Sequence, residues 1–297
     1  MRVSTYGGYL VTSQSLAAAM ERVQSVQTSI GTGKAITAWS DDAPAAASIE
    51  RYRAQESDWT SFGKTANDAK SWLATADGTL QSMSSVMARV KELAVSANSG
   101  GLTSAGRKAI AEEVDQLRTE LRDLGNTTQL GRSLFGGFGA TALATASDGT
   151  VTYAGDAGQV KRQVSPTTTV TVNVSANDVF GFTAGAGQDL FSMLTSLSTA
   201  VRAGDSAGLS GLQATLQSRH DNILSALSTV GTTTNQVDIA VTSGSTALQD
   251  LATRRSDLED VDMADAVLKL SAAQASYTAA LGAASRANLP SLADFLK

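Results

Sequence analysis

The chain has 297 residues, no cysteine, a single histidine and a formal net charge of −5. It is long enough to bury a sizeable core, but it excludes disulfides, thiolate nucleophiles and cysteine-based metal sites, and its acidic balance offers no basic field to nucleic acid or an anionic membrane surface. Aromatic residues make up 5% and prolines number three, a composition that suits long, unbroken helices better than an aromatic-filled enzyme core.

Near the N-terminus, Leu10, Leu16, Met20, Val23 and Ile30 predict a helix with one modest apolar face. Met1 to Thr5 has no apolar run, so no cleaved secretory signal is expected. Gly31-Thr32-Gly33-Lys34 closes the helix. It is not a phosphate-binding loop, because Thr28 stands where that motif needs Gly and Ala35 where it needs Ser or Thr. A glycine terminus is the reading. Asp41 and Asp42 ahead of Pro44 predict a helix start, with the carboxylates acting as caps rather than as an acid–base pair.

The dominant pattern comes next. Leu73, Ala76, Leu80, Met83, Met87, Val90 and Ala94 alternate in spacings of three and four, the stripe of a coiled coil or bundle. After Asn98-Ser99-Gly100-Gly101, a helix opening near Thr103 carries Ile110, Val114, Leu117 and Leu121 in the same alternation and is expected to fold back antiparallel. From about Ala140 to Gly187 the period changes to two, as in Thr150 to Tyr153 and Val170 to Val174. This predicts an inserted β module whose removal leaves the helical body folding cooperatively.

Helical seams resume at Leu190, Leu194, Leu197 and Val201, then from Leu209 to Val230. A last pattern through Val237, Leu248, Leu251 and Leu258 is expected to continue without a stop through Val261, Ala264, Leu268 and Ala275 toward Leu289. The fold class is therefore mainly α, a long-helix coiled-coil or bundle rod with a small inserted β domain. Three parts are expected: residues 1–40 with 262–297 as a terminal coiled coil, 41–139 with 188–261 as a helical bundle, and 140–187 as a β-rich insertion. Leu73, Leu80, Met83, Met87, Val90, Ile110, Val114, Leu117, Leu121, Leu248, Leu251 and Leu258 are assigned to the bundle core.

No residue is assigned a catalytic, cofactor-binding or metal-binding role. His220, among Arg219, Asp221 and Asn222, reads as a lone surface histidine. The acidic run Asp257, Glu259, Asp260, Asp262 and Asp265 spreads around a helix and reads as a solvated or partner-facing surface.

Four pieces in order resemble the flagellin superfamily: the opening Met1 to Thr5; Ser29 to Lys34 followed by Ser40-Asp41-Asp42; Gly125-Asn126-Thr127-Thr128 with Gly131 to Gly137; and Ser256 to Asp262 with the ending Ser291 to Leu296. The two ends, with Tyr153 to Gln159, look like its hook–filament junction branch, whereas Arg89 to Val95 looks like its filament branch. The resemblance implies a flagellin-type fold and a structural role in the flagellum, joining hook to filament, with a self-polymerising filament protein as the alternative. A secreted adhesive module or an enzymatic relative stands behind both. It implies no cofactor and no membrane insertion. As partners it implies copies of the chain in a ring or short tube, a neighbouring hook-associated junction protein, flagellin and an export chaperone. It also implies an extracellular location reached without signal cleavage. The terminal helices would form the assembly interface through Leu10, Leu16, Met20, Val23, Ile30, Val261, Ala264, Leu268, Ala275, Leu289 and Phe295.

Overall fold

The computed structural model describes residues 2–99, 101–184 and 187–287. Among them the chain forms seven α-helices: α1 (Arg2–Thr32), α2 (Ala43–Asn98), α3 (Ser104–Gly125), α4 (Ala176–Phe180), α5 (Leu190–Ala203), α6 (Ser206–Glu259) and α7 (Met263–Ala287). It divides into two compact units, Met1–Asp58 with Ala247–Lys297, and Trp59–Thr246. α2 and α6 each contribute residues to both units. Gly63, Gly231 and Gly244 all lie inside helix without interrupting it.

In the unit 59–246, α2 and α6 run antiparallel, as the side-chain pairs Lys70–Asp238 at 2.7 Å and Lys91–Gln217 at 2.6 Å show. The alternating stripe of α2 is the centre of the core: Leu73, Leu80, Met83, Met87 and Val90 are at most 1% exposed. Val114 and Leu121 of α3 are buried with them, and Ile110 and Leu117 pack partly buried at the margin. Thr103 caps α3 by accepting from the Gly106 N–H at 3.2 Å, as its position before the first apolar turn requires. α3 lies along α5, with the Ser198 hydroxyl donating to the Ala111 carbonyl at 3.3 Å. Leu248, Leu251 and Leu258 belong to the other unit, where Leu251 is buried and the other two are half-buried.

Three antiparallel hairpins join α3 to α4: β1 (Thr128–Gln129) with β2 (Arg132–Ser133), β3 (Leu143–Thr145) with β4 (Val151–Tyr153), and β5 (Lys161–Gln163) with β6 (Thr169–Thr171). Each ladder is two or three residues long, too short to stand alone. Period two is visible in β6, where Val170 is buried between exposed Thr169 and Thr171. These strands do not enclose a core of their own. Leu143, Val151, Val160, Val164, Val170, Val172, Val179 and Phe180 belong to the same buried cluster as α2, α3, α5 and α6. The Phe180 ring lies 5.1 Å from Phe191 of α5. Gly125 ends α3 where a Cβ would sit 2.5 Å from Leu143 and 2.9 Å from Phe180, so only a bare backbone lets the hairpin region close onto the helix.

The expectation of a dispensable insertion is thus corrected: its apolar residues are the cover of the helical bundle, and removing them uncovers it. Phe180→Ala is expected to cost about 3–5 kcal/mol and Leu80→Ala about 2–5 kcal/mol. Replacing 140–187 with a Gly/Ser linker is expected to abolish cooperative unfolding. Denaturant melts followed by circular dichroism read all three, and a linker variant melting cooperatively at the wild-type midpoint would overturn the shared-core account.

Candidate assembly interface

α1 ends at Thr32, and Gly33, with φ 72°, turns the chain in the left-handed conformation expected of a glycine terminus. Residues 33–35 then meet 259–261: the Ala35 N–H donates to the Glu259 carbonyl at 2.7 Å, and the Val261 N–H to the Gly33 carbonyl at 3.0 Å. This backbone pairing breaks the long C-terminal helix, which the sequence pattern alone carries through Val261. α6 stops at Glu259, and Asp262 caps α7, its carboxylate accepting from the Ala264 N–H at 2.8 Å. Asp42 caps α2 as expected, whereas Asp41 closes the loop that precedes the helix. Asp41 accepts from the N–H groups of Ala38 and Thr37 at 2.9 and 3.0 Å, bonds that lower its pKa, and Asp42 accepts from the Ala45 N–H at 3.0 Å.

The same turn encloses a buried carboxylate. Glu259 is 1% exposed, and three cations converge on it: Lys34, Arg53 at 2.5 Å and Arg255 at 2.8 Å. Arg255 also reaches Glu56 at 3.0 Å. Burial pushes the Glu259 carboxyl up, but hydrogen bonds from Lys34 and Arg255 and the charge of Arg53 outweigh it and bring the pKa down to about 2. The reading of this acidic run as a solvated surface is corrected for Glu259. Its spacing of four from Arg255, which continues the stripe of α6, is the available signal. Beside the cluster, Ile36, Trp39, Ala46 and Ile49 line a cleft of about 370 Å³, with Trp39 61% exposed.

Because the end of α1 adjoins the start of α7, these helices pack antiparallel. The covered stripe of α1 is Thr12, Leu16, Ala19, Val23, Val26 and Ile30, and that of α7 is Ala266, Leu270, Ala273, Tyr277, Ala280 and Ala284. Both keep the four–three alternation of a coiled coil. Of the residues expected in the interface, Leu16, Val23 and Ile30 therefore face the chain's own α7, and half-buried Val261 belongs to the turn. Leu10 and Met20 face outward, as do Ala264, Leu268 and Ala275. The helix break at 260–262 resets the register, moving the α7 seam two positions from the expected one. Leu289 and Phe295 lie outside the described residues.

His220 is half-buried between α2 and α6, not a lone surface group. Its Nε2 lies 3.0 Å from Ser84 Oγ, but Lys91 Nζ stands 3.4 Å from Nδ1. An ammonium only donates, so Nδ1 holds the lone pair and Nε2 the proton. His220 thus donates to Ser84 through its Nε2–H. No helix among the described residues is long and apolar enough to cross a membrane.

Residues 3–139 match the family described as bacterial flagellin N-terminal helical region, and residues 214–296 match bacterial flagellin C-terminal helical region. The chain belongs to the bacterial flagellin family. Among its flagellin-family relatives, flagellar hook-associated protein 3 of Escherichia coli K12 is 28% identical over 84% of this chain and 86% of the relative. Polar flagellin F of Vibrio parahaemolyticus is 29% identical over 48% of this chain and 38% of its own. The crystal structure of a flagellar junction protein from Legionella pneumophila aligns with a TM-score of 0.61 at 17% identity, covering 72% of this chain and all of that one. This structural likeness shows the fold. It is the mainly α, long-helix flagellin type with small antiparallel strand pairs.

Glu259→Gln removes the charge that three cations of this flagellin-family chain share, and is expected to cost about 1–3 kcal/mol at pH 7. The carboxyl sits lower in the folded chain than its ordinary 4.5, so its contribution is complete above that value and is lost as pH falls from 4.5 toward 2. Denaturant melts at pH 7 and pH 3 test this. The gap between wild type and variant should narrow in acid, and equal midpoints at pH 7 would refute it.

Proposed function

We propose that this chain is a structural component of the bacterial flagellum that joins hook to filament. The observation that carries the reading is the extent of the alignments. The hook-associated relative matches over 84% of this chain and 86% of its own length, through the segment between the two matched helical regions, whereas polar flagellin F matches 48% of this chain. The chain spans 38% of that flagellin's length.

In this reading α1 and α7 form the inner layer of a tube, residues 41–139 with 188–261 its wall, and 140–187 its outer face. The outward residues Leu10, Met20, Ala264, Leu268 and Ala275 would meet neighbouring subunits, with Leu268 70% exposed. The seam supports this: Thr12, Ala19, Ala273, Ala280 and Ala284 bury little apolar area, so the pair gains most of its stability from neighbours. Its partners would be copies of itself, an adjoining hook-associated protein, flagellin and an export chaperone. It would reach the cell exterior without signal cleavage. It performs no reaction.

A junction layer presents different partners above and below, whereas a filament subunit must fit itself head to tail without closing. Purified protein is therefore expected to remain monomeric or form short oligomers in precipitating salt with seeds. Electron micrographs showing micrometre-long filaments would sink the junction reading in favour of a filament flagellin.

A further inference from the structure

We propose that His220 is a proton-sensitive fastener between α2 and α6: the neutral imidazole ties the two helices together, and protonation unties them at that point.

The geometry leaves no room for a second proton. Nε2–H donates to Ser84 Oγ at 3.0 Å, while the Lys91 ammonium points at Nδ1 from 3.4 Å. Protonated, Nδ1 would set an N–H against an N–H and place two positive charges in contact. Lys91 is also held by Gln217 Oε1 at 2.6 Å, and Gln217 by Asp221 at 2.8 Å, so the ammonium is anchored where it opposes the new charge. Arg219, next in sequence, extends its guanidinium to Gly181. Ser84 and Lys91 face the ring from α2. On α6 itself, Asp221 is the carboxylate that pulls the other way.

Burial first, and then Lys91, lowers the imidazole below its ordinary 6.5, with Asp221 opposing. A basic group lowered by folding takes its proton more readily in the unfolded chain. Its stabilisation is therefore complete above about 6.5 and declines as pH falls through that value, levelling off once the folded imidazole is also protonated. This window lies above that of the Glu259 carboxylate, so the two effects separate.

Since the chain has one histidine, the ring protons of a single imidazole can be followed by nuclear magnetic resonance in the full chain, folded and in urea. The folded midpoint is expected below the urea midpoint, and Lys91→Gln is expected to raise it. Amide exchange around 84–91 and 217–224, corrected for intrinsic rates, is expected to quicken between pH 7.5 and 5.5 in wild type and to lose that dependence in His220→Gln. A folded midpoint at or above the urea value overturns the proposal, and that measurement needs no variant. So does a midpoint indifferent to Lys91→Gln, or equal pH dependence of exchange in wild type and His220→Gln.

Discussion

One buried carboxylate determines how the two ends of this chain are set. Glu259 draws Lys34 from the turn after α1, Arg53 from α2 and Arg255 from its own helix onto a single group that is 1% exposed. A lone buried carboxylate would be costly, and here three charge-assisted contacts offset its lost hydration. Its partners remain in touch with water: Lys34 and Arg53 each keep 43% of their side-chain exposure. The cations therefore give up little of their own hydration while satisfying the acid. The backbone pairing of 33–35 with 259–261 completes the arrangement, and α7 starts just beyond it.

The helix pair that this turn sets side by side, α1 with α7, has little intrinsic strength. Its seam is a coiled-coil stripe by spacing but not by volume, since alanine and threonine occupy half of the positions that leucine or isoleucine would fill in a self-sufficient pair. Large apolar side chains are placed away from the seam: Val11 at 67% exposure and Leu268 at 70%. Such a distribution suits helices whose outer faces are covered by other subunits. The other unit has the opposite character, with one continuous buried cluster from Ala66 to Val237 that takes in the hairpins as well as the helices.

Several local features can be read without the fold. The stripe from Leu73 to Ala94 and its counterpart from Ile110 to Leu124 are legible because a helix face is set by spacing within one segment. The same holds for the caps at Asp42, Thr103 and the turn at Gly33, where one side chain or one glycine decides the backbone within a few residues. The flagellin family is likewise visible in short pieces, of which Ser29 to Lys34 and Ser256 to Asp262 build the turn between the end of α1 and the start of α7.

The rest depends on residues far apart in the chain. Arg53 and Glu259 are 206 positions apart, so no local pattern separates that acid from its solvated neighbours. Periodicity misplaces the seam of α7 by two positions because the break at 260–262 comes from pairing with Gly33, which no window around Val261 contains. His220 looks exposed by composition, yet Ser84 and Lys91 lie 136 and 129 residues away in sequence. Periodicity identifies which face of an element is apolar. Only tertiary packing decides what covers that face, and it is this cover that makes the hairpins part of the core and the acidic residue part of a buried ion cluster.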